Sequence, residues 1–327
     1  MPKVSVIIPV YGVEKYIERC ARSLFEQTLD DIEFLFIDDC TPDKSIEVLK
    51  RVLEDYPHRK HQVLIHRMEQ NSGQAAVRKW GMQNATGDYL IHCDSDDRVD
   101  ISIYEKLWKK AIEDEADIVR CSFVRTDGVN EVLCRQIPED AYGDRFRLIS
   151  YALIGSSLTS LCDKLVKRTV ITKNEITYPT YNMQEDASLV VQLLYYSKKV
   201  SFLPEVLYYY CANPTSITHT ITTESYLKRL YEVCQNTKLI TTFLESKGII
   251  DSFREELVCR KYNDRSHIIA LTNQNEFRKM WWTIFPEIDN KIMFNTKMHY
   301  KEKLEYYCVK FGIYHFVQRL RKLCGLS

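Results

Sequence analysis

Gly87-Asp88-Tyr89-Leu90-Ile91-His92-Cys93-Asp94-Ser95-Asp96-Asp97 is the stretch whose reading decides the fold. A short apolar run, Tyr89-Leu90-Ile91, leads straight into Asp94, Asp96 and Asp97. Apolar residues followed abruptly by acids read as a buried strand whose C-terminal end emerges at a site. Carboxylates this close repel one another unless a cation or several donors sit among them. A hard divalent ion, Mg²⁺ or Mn²⁺, prefers oxygen ligands and often bridges to phosphates. The alternative is a solvated acidic turn that caps the next helix.

Working outward, residues 1–122 alternate between two patterns. Val4 to Val10, Ile32 to Ile37, Val63 to Ile65, Tyr89 to Cys93 and Ile118 to Cys121 are short apolar runs. Between them, residues 14–28, 43–55, 74–85 and 101–113 carry apolar side chains at helical spacing. This alternation predicts an α/β fold with a mostly parallel, Rossmann-like central sheet and helices on both faces. Ligands of such sheets bind outside the carboxyl ends of the strands. Three of those ends are polar here: Pro9-Val10-Tyr11, Asp38-Asp39 and Asp94-Ser95-Asp96. Residues 123–215 mix short strand-like pieces (161–166, 200–203, 206–211) with helical ones near 144–153 and 186–197. Beyond them the pattern is helical, with helices expected over 224–246, 251–272 and 300–323, interrupted near Gly248 and Pro286. The expected division is a domain over 1–222, in two halves (1–97 and 98–222), followed by a helical C-terminal region over 223–327.

The 45 basic and 45 acidic residues balance, which gives no reason to expect nucleic-acid binding. The 11 cysteines are scattered without a CxxC pair, so reduced thiols in a cytosol are the simpler reading. The N-terminus opens on a strand-like run rather than a signal peptide, and no apolar stretch approaches the roughly 18–20 residues that span a bilayer. The expected location is cytoplasmic, with the inner face of the membrane open to contact.

Asp39, at the end of its strand, can accept hydrogen bonds from the N–H of a base or from sugar hydroxyls. Thr41 or Asp43 suits a cap for the helix that follows. Asn71 or Ser72 suits a cap at the next helix start, which favours anions. Arg78, about two turns on, could reach a phosphate or lock a loop carboxylate. Glu185-Asp186 opens an apolar helix. There it either complements the helix dipole or supplies a general base. His219 could add a nitrogen to an aspartate metal site. The segment 313–323 is amphipathic, with Ile313, Phe316, Val317, Leu320 and Leu323 on one face and Arg319, Arg321 and Lys322 on the others. It could rest on an anionic membrane surface, or pack on neighbouring helices or a second subunit of a homodimer.

Together these pieces resemble glycosyltransferase family 2, the inverting GT-A enzymes of polysaccharide synthesis. The matching elements are Val4 to Tyr11, Ile37-Asp38-Asp39 with Asp43, Asn71-Ser72-Gly73 with Arg78, and Gly87-Asp88-Tyr89 running into Asp94-Ser95-Asp96-Asp97. Cys162-Asp163-Lys164-Leu165-Val166-Lys167-Arg168 is similar to a further segment of bacterial members. The resemblance covers about residues 3–215. It implies a nucleotide-sugar donor, usually UDP-linked, a divalent metal (Mn²⁺ or Mg²⁺), and a saccharide or lipid-linked saccharide acceptor. Pro9-Val10-Tyr11 would flank the base and Asp39 would bond the uracil. Asp94 with Ser95 would contact ribose or sugar, and Asp96 the metal, with His219 as a further ligand. Asp186, beside Glu185, would be the catalytic base. Gly12, Cys40-Thr41-Pro42 and Lys79 depart from the family's usual residues without removing a needed charge. Two other readings compete: a nucleotidyltransferase, for which no Gly-rich phosphate loop is present, and a binding module that has lost turnover.

Overall fold

The computed structural model describes residues 1–134, 137–213 and 223–323. The chain divides into two compact units, Met1–Ile221 and Thr222–Ser327.

The first unit begins with β1 (Val4–Val10), α1 (Ile17–Phe25), β2 (Ile32–Asp38), α2 (Ser45–Glu54), β3 (Val63–Arg67), α3 (Gln74–Asn84) and β4 (Tyr89–His92). The four strands lie in the order β3-β2-β1-β4, all parallel. Val4, Val6, Ile8 and Val10 point to one face of β1, where α1 and α2 cover them with Ile17, Ala21, Leu24 and Leu49. The helix α3 lies on the other face. A Cβ on its Gly81 would meet the side chains of Ile7 and Ile37. Both faces of β1, β2 and β4 are therefore buried, which is why these strands read as continuous apolar runs; the edge strand β3 is partly exposed. Since β2 and β3 lie on one side of β1 and β4 on the other, the strand order reverses between β1 and β4. Open α/β sheets bind ligands at such a switch point.

The rest of the unit comprises β5 (Arg98–Val99), α4 (Ile103–Glu113), β6 (Ile118–Thr126), β7 (Glu131–Leu133), α5 (Arg145–Leu153), β8 (Lys164–Lys167), α6 (Arg168–Thr172), α7 (Glu185–Tyr196) and β9 (Val200–Cys211). The sheet continues from β4 through β8, β6 and β9 to β5, with β7 paired to β6. The β4–β8, β8–β6 and β9–β5 pairs are antiparallel, so this half mixes directions where the first does not. The two strand-like pieces over 200–211 form one strand, with a register shift opposite Ser122.

The second unit contains α8 (Thr223–Ser246), α9 (Arg254–Ser266), α10 (Asn275–Thr283), α11 (Tyr300–Lys310) and α12 (Tyr314–Leu323). The single helix expected over 300–323 is two, because Gly312 takes φ +72, a left-handed conformation that ends α11. The sequence pattern did not foresee α10. No described helix is long and apolar enough to cross a membrane.

Candidate active site

The carboxyl ends of β1, β2 and β4 meet around one network. The Asp39 N–H donates to the Val10 carbonyl (3.0 Å), which joins the first two strand ends. The Asp39 carboxylate is buried and accepts from the Ser72 N–H at 2.7 Å and the Gly73 N–H at 2.8 Å. Burial raises its pKa, and the two backbone donors oppose that rise. Each oxygen keeps a further lone pair for a ligand N–H or O–H.

The loop that Asp39 holds leads into α3. Its Gly73 sits at φ 82, ψ 162, a region reached in practice by glycine alone. A Cβ there would fall 2.6 Å from Asn182 Oδ1. That same oxygen accepts the Ala75 N–H at 3.0 Å. The cap expected from Asn71 or Ser72 is thus corrected: no side chain of the loop caps α3, and Asn182 supplies the acceptor from far along the chain. Asp43 does accept the Ser45 N–H at the start of α2, at 3.1 Å.

Arg78, one turn into α3, is buried and donates two ways. Nη2 reaches Asp94 Oδ1 and Nη1 reaches Glu185 Oε1, both at 2.7 Å. Burial works against its charge, but Asp94 and Glu185 together raise its pKa. The side chain locks carboxylates rather than reaching outward. Gln74 Nε2 lies 3.3 Å from the same Asp94 oxygen, and Cys162 Sγ lies 3.4 Å from Asp94 Oδ2. Next to Cys162 in the chain lies a buried charge cluster. Arg120 Nε and Lys164 Nζ each donate to Asp163 at 2.6 Å.

The three acids after β4 divide by environment. Asp97 is fully buried; it accepts from the Tyr208 hydroxyl and from the Cys211 N–H (2.7 Å), tying the loop to β9. Burial drives its pKa well up, helped by Asp94 and Asp96. Asp96 is half-buried and accepts from Asn213 Nδ2 at 2.8 Å, while Arg19 bonds its carbonyl. Burial and the Asp94 charge raise the Asp96 pKa. Ser95, between them, is buried.

At the start of α7, Gln184 adopts a left-handed conformation, φ 60. The turn sends Glu185 inward to Arg78 and leaves Asp186 half-buried, its Oδ1 accepting its neighbour's N–H at 2.7 Å. Burial raises both carboxyls against the pull of Arg78. Among the predicted residues, Asp39, Arg78, Asp94 and Glu185 are joined directly or through the 72–74 loop, with Asp96 and Asp186 adjacent in the chain. Pro9 is half-buried, Val10 buried, and Tyr11 and Asn71 exposed. His219 lies outside the described residues. No group of three His, Cys, Asp or Glu side chains among the described residues is arranged to hold a metal. Sequence reasoning passed over Gln74, Cys162, Asn182 and Asn213 as partners of this network. For Asn182 and Asn213, proximity to the Glu-Asp pair and to the 214–219 segment was the only available signal.

The model of glycosyl transferase family 2 matches residues 5–171, more than half of the 327. The chain belongs to that family. The family 2 chain is a glycosyltransferase, hence an enzyme, and its relatives carry the same description. An uncharacterized glycosyltransferase of Bacillus subtilis, EpsJ, is 27% identical over 275 residues, spanning 80% of this chain and 76% of its own. A poly(ribitol-phosphate) beta-glucosyltransferase of Bacillus spizizenii is 28% identical over 211 residues, 64% of this chain and 32% of its own. Among solved structures, S. aureus TarS 1-349 in complex with UDP-GlcNAc superposes with a TM-score of 0.58 at 16% identity, covering 95% of this chain and 92% of that one. The mannosyltransferase PcManGT from Pyrobaculum calidifontis, in complex with GDP-Man and Mn²⁺, gives 0.52 at 15% identity, covering 88% and 85%. The likeness is one of fold, and the fold is GT-A.

Proposed function

We propose that this family 2 chain is an inverting transferase that moves a hexosyl or N-acetylhexosaminyl group from a UDP-sugar to a saccharide or lipid-linked saccharide hydroxyl, in cell-surface polysaccharide synthesis. The observation that carries the reading is Arg78, whose guanidinium ties the acid at the end of β4 to the Glu-Asp start of α7. A donor-side carboxylate and a base-bearing helix are thereby held within one side chain's reach, beside the loop that Asp39 fixes. The named ligands of the TarS and PcManGT complexes, UDP-GlcNAc and GDP-Man, support a nucleotide-sugar donor. The poly(ribitol-phosphate) beta-glucosyltransferase of Bacillus spizizenii supports a polymeric acceptor.

In this reading residues 1–97 bind the nucleotide and 98–222 the acceptor. Tyr11, exposed beyond β1, flanks the base while Pro9 and Val10 place it, and Asp39 accepts the uracil N–H. Asp94 and Ser95 face the ribose and sugar. Asp96 offers the oxygen donor that a hard divalent cation takes, and a cation there would relieve its repulsion with Asp94. Asp96 would hold Mn²⁺ or Mg²⁺ together with diphosphate oxygens, with His219 as a further candidate ligand. When bound, the ion neutralises charge on the leaving diphosphate. Asp186 takes the proton of the acceptor hydroxyl as that oxygen attacks the anomeric carbon from the side opposite the diphosphate. Its raised pKa makes it a better proton acceptor than an ordinary aspartate. Glu185 and Arg78 act through others, as positioning residues. The test is incubation with a panel of UDP-hexoses and UDP-N-acetylhexosamines plus Mn²⁺, with product anomers read by NMR. UDP release and an inverted anomer are expected. Retention, pyrophosphate-dependent exchange, or binding of every donor without release would overturn the proposal.

A further inference from the structure

The second unit carries a feature that the transferase chemistry does not use. Ile313, Phe316, Leu320 and Leu323 recur at i, i+3, i+7 and i+10, which is one face of α12. That face is turned outward, from 44% exposure at Leu320 to 83% at Leu323, with Phe316 at 63%. The helix itself is docked. Tyr314 and Val317 are half-buried, and His315 Nε2 pairs with Thr272 Oγ1 at 3.1 Å. Val317 lies at the edge of the apolar face and is partly covered, while the side bearing Tyr314 and His315 is engaged; Ile313, Phe316, Leu320 and Leu323 remain outward. Phe311, at the turn before it, is exposed as well. Isolated exposed apolar residues are ordinary, but a contiguous stripe marks an interaction surface.

Charge identifies the occupant. From Tyr306 to Leu323 the chain has Lys310, Arg319, Arg321 and Lys322 and not one Asp or Glu. Ten residues of helix are too short to span a bilayer, yet suffice to lie in its headgroup plane. We infer that α12 is a docking helix for an anionic lipid surface, its Ile313–Phe316–Leu320–Leu323 stripe entering the acyl boundary and the exposed Arg319 facing the headgroups. The inference does not rest on the reaction proposed above, because lipid binding is read without a donor.

The test is cosedimentation of the full chain with vesicles of phosphatidylcholine alone and of phosphatidylcholine with phosphatidylglycerol. Binding only to the anionic vesicles, weakened by salt, is expected. The Phe316→Ser/Leu320→Ser variant should bind about tenfold more weakly with a melting temperature little changed, since both side chains are largely exposed. Arg319→Glu should weaken binding at low salt and matter less at high salt. Three results would each overturn the inference. The first is no binding to anionic vesicles at low salt, and the second is equal binding by the Phe316→Ser/Leu320→Ser variant. The third is a concentration-dependent dimer that this variant abolishes while vesicles bind neither protein, which would assign the stripe to a second copy of the chain.

Discussion

Gly73→Ala probes how the two halves of the first unit are joined. At φ 82, ψ 162 an alanine is strained by about 1–3 kcal/mol. Its Cβ also falls on the Asn182 side chain, which must move and surrender the Ala75 N–H. Losing that hydrogen bond adds about 0.5–1.5 kcal/mol. The expected total is about 2–4 kcal/mol, read as a lower urea midpoint with an unchanged slope. Asn182→Ala alone should cost only the hydrogen bond. In that background Gly73→Ala should cost only the strain, giving a coupling of about 1 kcal/mol in a double-mutant cycle. UDP affinity should fall too, because the Asp39 carboxylate is held by the Ser72 and Gly73 amides. A Gly73→Ala protein within about 0.5 kcal/mol of wild type would refute the strained geometry. An identical loss with and without Asn182 would refute the docking of the 182 segment on α3.

Arg78→Met leaves Asp94 and the buried Glu185 without their cation and should destabilise by about 3–5 kcal/mol. Arg78→Lys should recover part of that stability but little turnover, since an ammonium cannot span both carboxylates as a fork does. Asp96→Asn should lower turnover and Mn²⁺-dependent UDP binding together, by about tenfold or more, in isothermal titration and UDP-release assays. In the proposed role of base, Asp186 must be ionised to act; burial raises its pKa, so kcat should fall on the acid side at a higher pH than an ordinary carboxylate near about 3.9 would impose. An acid limb at or below the pH that an ordinary aspartate imposes would speak against that shift.

The first half of the fold was legible because β1, β2 and β4 are buried and announce themselves as apolar runs, two of them leading into acids. Asp39 and Asp94 stand just past the ends of β2 and β4, one and two residues from elements the pattern defines. Arg78 was legible as a charge on a helix but not as a clamp, because its partner Glu185 is more than a hundred residues away. The same distance hid Asn182, which caps α3 from outside any local window. Asp97 reads like its neighbours in sequence, yet it is the structural member, buried against Tyr208 and Cys211 of β9. The antiparallel pairing of β8 between β4 and β6 is likewise a long-range choice that no period encodes. Asp186 emerged as the half-exposed member of its pair only once the left-handed turn at Gln184 was seen.

The most direct measurement compares wild type with Asp186→Asn in two assays on one preparation: turnover of the preferred UDP-sugar, and UDP affinity by titration with Mn²⁺ present. Turnover should fall by about two orders of magnitude or more while UDP affinity stays within about twofold, as removal of a general base requires. Full activity in Asp186→Asn, or parallel loss of turnover and UDP affinity, would contradict the assignment of Asp186 as the base.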